Sequence, residues 1–178
     1  MRELLLVDGY NVINSWPELK PLRDNLGDAR DKLSDVMAEY GEYHKYDVII
    51  VFDALFTADD EHKDRVNCHL DIIYTGKGET ADSCIERLTY EAVNDGRVVR
   101  VVTSDGAEQS VILGAGASRI PSLELRRDVR RLKKQLRRDY TGKVTLPVTR
   151  IEVGDRLDPE TAARLDAMRK GHMPHEKP

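Results

Sequence analysis

An α/β fold built on a mostly parallel central sheet is the class this sequence predicts, and three observations predict it. Apolar runs of strand length alternate with longer segments whose apolar residues recur at helical spacing. The first run, within residues 3–7, is continuously apolar, as a strand buried on both faces requires. Four acids, Asp8, Asp53, Asp82 and Asp105, stand where such runs end or where the next helix begins.

Residues 3–7 read as the first strand. From Leu26 onward, Ala29, Leu33, Val36, Met37 and Tyr40 follow helical spacing and predict a helix that returns the chain across the sheet. Residues 47–52 form a second strand rich in Val and Ile, residues 57–64 a charged loop, and residues 66–74 a third strand. After the Gly76-Lys77-Gly78 turn, Thr80 is placed to cap a helix whose buried stripe is Cys84, Ile85, Leu88 and Ala92. Residues 97–102 are a fourth strand, and residues 105–113 a short helix stopped by Gly114 and Gly116. Ser118–Ile120 adds a short fifth strand, and a basic helix follows Pro121. Beyond Tyr140 the pattern weakens until Asp158-Pro159, a favourable helix start for Ala162, Leu165 and Met168; the end, GHMPHEKP, is expected to fray. A chain of 178 residues accommodates one well-buried domain, here residues 1–140, with 141–178 as a partly helical extension.

No apolar run is long enough to span a bilayer, and Arg2 and Glu3 are followed by too short an apolar stretch for a signal peptide. Cys68 and Cys84 lack metal-type spacing and fit the unpaired thiols of a cytoplasmic protein. A net charge of −4 gives no general support for nucleic-acid binding, but residues 124–139 carry eight Lys or Arg against three acids. That segment is either a local RNA-binding surface or a solvated helix face.

Carboxyl ends of parallel strands share one rim, so acids distant in sequence converge there. Clustered carboxylates repel one another unless a cation is bound. Without paired Cys or His ligands the expected cation is Mg²⁺ or Mn²⁺, and such a site suits phosphodiester hydrolysis. Each acid also has a structural reading. Asp8-Gly9 suits a hairpin turn, Asp53 and Asp105 suit caps, and Glu79 and Asp82, three apart, would share a helix face and complement its dipole. Asn11 is placed to orient Asp8 or meet a phosphate, Lys77 to reach a phosphate, and Thr103 and Ser104 to contact substrate or support the acids.

Other chemistries lack their motifs. There is no G-x-G-x-x-G after a strand and no G-x-x-x-x-G-K-[ST], and Tyr10 occupies the position where an aspartyl phosphatase needs a second Asp. His44, His62 and His69 sit on no nucleophile motif, and His172 and His175 fall in the expected tail.

VDGYNVIN, IIVFDA, GKGETAD with SCIERL, and VVTSDGAEQ, in this order, resemble the YacP-like NYN-domain proteins, a branch of the PIN-like ribonucleases, from about residue 2 to 138. The resemblance implies an α/β/α three-layer PIN-like fold and a metal-dependent endoribonuclease linked to ribosome-associated mRNA cleavage. Its acidic positions correspond to Asp8, Asp82 and Asp105, with Asp53 at the rim. Both lines of reasoning lead to cleavage of single-stranded RNA, leaving a 5′-phosphate and a 3′-hydroxyl, with Mg²⁺ or Mn²⁺ on Asp8, Asp82 and Asp105. Arg126, Arg127, Arg130, Arg131, Lys133, Lys134, Arg137 and Arg138 would hold RNA or ribosomal RNA. The competing functions are a ribosome- or RNA-binding module with a vestigial acidic pocket, and a metal-dependent structure-specific DNA nuclease.

Overall fold

The computed structural model describes residues 2–53, 61–104 and 106–143. Asp105, the expected helix from Asp158 and the expected frayed end lie outside the described residues. The chain divides into two compact units, Met1–Lys134 and Gln135–Pro178. The elements run β1 (Glu3–Asp8), α1 (Gly9–Ser15), a 3-10 turn (Lys20–Leu22), α2 (Leu26–His44), β2 (Tyr46–Phe52), β3 (His62–Asn67) and β4 (Leu70–Tyr74). They continue with α3 (Ala81–Asn94), β5 (Val99–Val102), α4 (Gly106–Gly114), β6 (Ser118–Ile120) and α5 (Ser122–Lys143).

Six strands form one sheet in the order β3-β4-β2-β1-β5-β6. All neighbours are parallel except β3, which runs antiparallel to β4. The predicted α/β class with a mostly parallel sheet is what the chain adopts. From β1 the chain builds outward through β2 and β4, then returns to the other side of β1 with β5. The crevice between β1 and β5 is therefore a topological switch point, where open α/β sheets bind ligands beyond the carboxyl ends of their strands.

Strand alternation sorts the core into two layers. Leu4 and Leu6 of β1, Val51 of β2, Ile73 of β4, and Val99 and Val101 of β5 pack against Ala81, Cys84, Ile85 and Ala92 of α3 and Ile112 of α4. The alternate residues face the α2 side, where the layers fit closely: a Cβ on Gly41 of α2 would stand 2.6 Å from Val48 Cγ2. On the same side a Cβ on Gly9 would stand 2.2 Å from the Phe52 ring, so only glycine lets α1 start this close to β2.

Two local expectations are corrected and one alternative reading is set aside. Residues 62–67 are a strand rather than part of a polar loop followed by one strand over 66–74. Every residue of β3 is exposed, so this edge strand shows no apolar alternation to read. Lys63 and Arg65 both reach Asp71 on β4, at 2.8 and 3.1 Å, and their charges keep the free edge soluble. Asp8-Gly9 is not a hairpin turn: Asp8 N-caps α1, accepting a hydrogen bond from Asn11 N at 2.9 Å. Glu79 does not share a helix face with Asp82, because α3 begins only after the N-cap Thr80, which accepts from Ser83 N.

Candidate active site

The same alternation that fills the core carries the acids to one place. Asp8 continues the series Leu4 and Leu6, and Asp53 continues Ile49 and Val51, so both emerge at the rim on the α3 side. Thr75 and Thr103 follow Ile73 and Val101 by the same step of two, and both are buried. Asp82, exposed in the first turn of α3, completes the group from the helix above.

Asp8 is the most constrained member, only 9% exposed. Burial above all, together with the negative charges of Asp82 and Asp53, pushes its carboxyl up to about 6, against the lowering effect of the backbone N–H groups of Asn11 and Tyr10. The three acids therefore share one electrostatic field. Among the described residues, no Lys or Arg forms an ion pair with any of them. Thr75 Oγ1 donates to Asp53 Oδ1 in a long contact at 3.5 Å. Three hard oxygen donors with no counter-charge among the described residues suit a divalent cation of the Mg²⁺ type.

Across the switch point, Ser104 N donates to Asn11 Oδ1 at 3.0 Å and ties the end of β5 to α1. Asn11 thus orients Asp8 through its backbone and spends its side-chain oxygen on the β5 loop. Ser104 Oγ lies against Ser122 Oγ, which also meets Ser15 Oγ at 2.8 Å, while Trp16 Nε1 donates to the Ser122 carbonyl at 2.8 Å. This knot locks α1, the β5 end and the start of α5 together behind the acids. Sequence reasoning missed Ser15, Trp16, Thr75 and Ser122. Thr75 alone had a signal, its step of two from Ile73.

Other residues are placed elsewhere. Glu61, Glu79 and Cys84 hold donor atoms within 4.8 Å of one another, but Arg87 already supplies their cation, with Nη2 2.5 Å from Glu61 and 3.1 Å from Glu79. Glu79 accordingly is a partner of Arg87. Lys77 is exposed between Gly76 and Gly78. On α5 the stripe Leu125, Val129 and Leu132 is buried, and Arg127, Arg130, Arg131, Lys134, Arg137 and Arg138 are exposed. Arg126 is engaged by a two-pronged pair with Glu18, both contacts at 2.7 Å, and Arg131 lies 3.6 Å from Asp128. Lys133 is half-buried. No described helix is long and apolar enough to cross a membrane.

The model of the YacP-like NYN domain matches residues 5–170. The chain belongs to the YacP-like NYN-domain family. Its similarity to YacP of Bacillus subtilis (strain 168) is 42% identity over 137 residues, 76% of this chain and 80% of that protein. The crystal structure of Rae1 (YacP) from Bacillus subtilis superposes with a TM-score of 0.65 at 37% identity, covering 95% of each chain. That of a point mutant of Rae1 gives 0.69 at the same 37% identity, covering 93% of this chain and 99% of the other. Membership of the NYN family implies a nuclease acting on RNA, and the acid cluster at the switch point is where this member offers chemistry for it.

Proposed function

We propose that the protein is a divalent-metal-dependent endoribonuclease that hydrolyses single-stranded RNA, acting on mRNA in association with the ribosome. The observation that carries the chemical part is the buried Asp8 carboxyl, held beside Asp53 and Asp82 with no cationic side chain among the described residues to offset them. Asp8 and Asp82 would hold Mg²⁺ or Mn²⁺ together with Asp105, included for its place in the VVTSD motif. When bound, the cation supplies Lewis acidity toward a phosphate oxygen and acidifies water. Asp53, which Thr75 Oγ1 approaches at 3.5 Å, would orient the attacking water and accept its proton. The Asn11–Ser104 link and the Ser122 knot hold Asp8 in place while charge shifts. Products would carry a 5′-phosphate and a 3′-hydroxyl.

The acidic rim repels phosphate, so holding RNA falls to cationic surface elsewhere. The exposed Arg127, Arg130, Arg131, Lys134, Arg137 and Arg138 of α5, with Lys133 and Lys77, are proposed for that work, toward mRNA or ribosomal RNA. Arg126 would join only by leaving Glu18. Purified protein incubated with an unstructured RNA and with DNA of the same sequence, with Mn²⁺ or with chelator, tests the reading. Metal-dependent cutting of RNA in preference to DNA is expected. Binding without cutting by the native protein would favour a non-catalytic RNA-binding module, and preferential cutting of DNA a DNA nuclease.

A further inference from the structure

Aromatic residues stand close in sequence to two of the rim acids and to Thr75. Asp53 is preceded by Phe52 and Thr75 by Tyr74, while Tyr10 stands two residues after Asp8. Because side chains alternate along a strand, Phe52 and Tyr74 project on the α2 side of the sheet at the level where Asp53 and Thr75 project on the α3 side. The rings form one row: Tyr10 meets Phe52 edge-on at 5.1 Å, Phe52 stacks on Tyr74 at 5.7 Å, and Tyr74 stacks on His62 at 6.3 Å. Arg30 of α2 lies over the Tyr74 ring, 5.6 Å from its centroid.

The row changes character along its length. Its centre, Phe52, is fully buried, whereas Tyr10 and Tyr74 are half-buried and His62 is exposed. A row that served only as core would need no polar rings at its open positions. Partly exposed tyrosine rings beside a guanidinium, at the same strand ends as the acids, have the chemistry of a base-stacking platform: every base has a π-face, and arginine complements the phosphate. We propose that Tyr10 and Tyr74, backed by Phe52 and Arg30, stack the bases flanking the scissile phosphate and so position single-stranded RNA over the acids. The inference rests on the nuclease reading above and names the feature that favours unpaired substrate. A duplex keeps its bases stacked internally and has none to offer these rings.

The test uses the full chain carrying Asp82→Asn to prevent cutting, and a short unstructured RNA bearing 2-aminopurine at one position, or an abasic residue there. Binding is read by anisotropy and stacking by quenching of the 2-aminopurine. Tyr74→Leu and Tyr10→Leu are expected to weaken binding roughly 5- to 100-fold and to abolish the quench, the range expected for loss of one stacked base. Tyr74→Phe and Tyr10→Phe, which keep the ring and the fold, should bind as the parent does. In the parent, the abasic substitution should cost a similar factor at one position, and in the matching leucine variant almost nothing. Unchanged affinity in both leucine variants, or ring and base losses that multiply independently, would overturn the platform. Failure of the unaltered protein to cut the same RNA with Mn²⁺ would instead overturn the nuclease reading on which the platform depends.

Discussion

Replacing Asp8 by Asn separates the electrostatic cost of the acidic cluster from its chemistry. Asn keeps the size and the oxygen that accepts from Asn11 N, and removes the charge. In the folded chain the Asp8 carboxyl is pushed up from 3.8 to about 6, first by burial and then by Asp82 and Asp53. Between those two values the folded state holds more protons than the unfolded state, so stability falls as pH rises through the window. It is fully present below the unfolded value and lost above the folded one. A shift of about two units corresponds to roughly 3 kcal/mol of folding free energy withheld at pH 8. Neutralisation also removes a favourable charge at the start of α1, worth about 0.3–1 kcal/mol. At pH 8 in chelator, Asp8→Asn should therefore stabilise the protein by about 2 kcal/mol, raising Tm by roughly 5–8 °C, whereas near pH 3.5 the two proteins should melt together. Excess Mn²⁺ should raise the Tm of the native chain, by about 2.7 kcal/mol of stability at a hundredfold excess over Kd, and leave the variant nearly unmoved. Scanning calorimetry across pH, with and without Mn²⁺, reads all of this. A variant no more stable than the parent at pH 8, or an equal response of both to Mn²⁺, would refute the account of Asp8 as a buried carboxylate awaiting a cation.

Asp82→Asn should lower RNA cleavage by roughly 10²-fold or more while leaving the thermal melt near native, taking the 10–100-fold effect of residues that merely support a ligand as a lower guide; single-turnover cleavage by the purified variant checks it. Reversing Arg130, Lys134 and Arg137 to Glu, which lie three or four apart on α5, should weaken RNA binding and flatten its salt dependence, since about five phosphate contacts would give a slope near −3.5 in log affinity against log salt. Titrations from low to moderate salt measure that slope, and an unchanged one would make the helix a solvated face. Gly9→Ala should destabilise by about 1–3 kcal/mol or more, because the added methyl would enter the Phe52 ring at 2.2 Å and α1 would have to move; urea unfolding with an unchanged midpoint would contradict the packing described. Thr75→Val, which removes the donor to Asp53 at nearly constant shape, should lower the cleavage rate constant with little effect on RNA affinity, and a loss of affinity alone would show Thr75 to act on binding instead.

The sequence by itself determined what burial imprints locally. Continuous apolar runs marked β1 and β2 as strands with both faces covered, helical spacing marked α2 and α3, and Thr80 announced the start of α3 before any partner was known. The acids were legible for the same reason, since a charge at the end of a buried run must lie at a rim. Strand order was decided only by the tertiary structure, because an apolar run records that it is covered and not by what. β3 escaped notice because an edge strand exposed on both faces carries no periodicity, and α1 because its seven residues complete too few turns to show one. Pairs distant in sequence were equally invisible: Arg126 finds Glu18 and Ser104 finds Asn11 only once the layers are stacked. The Asp8 carboxyl combines both sources. Its position follows from the strand that ends at it, while its raised proton affinity follows from the burial and the two neighbouring carboxylates that folding supplies.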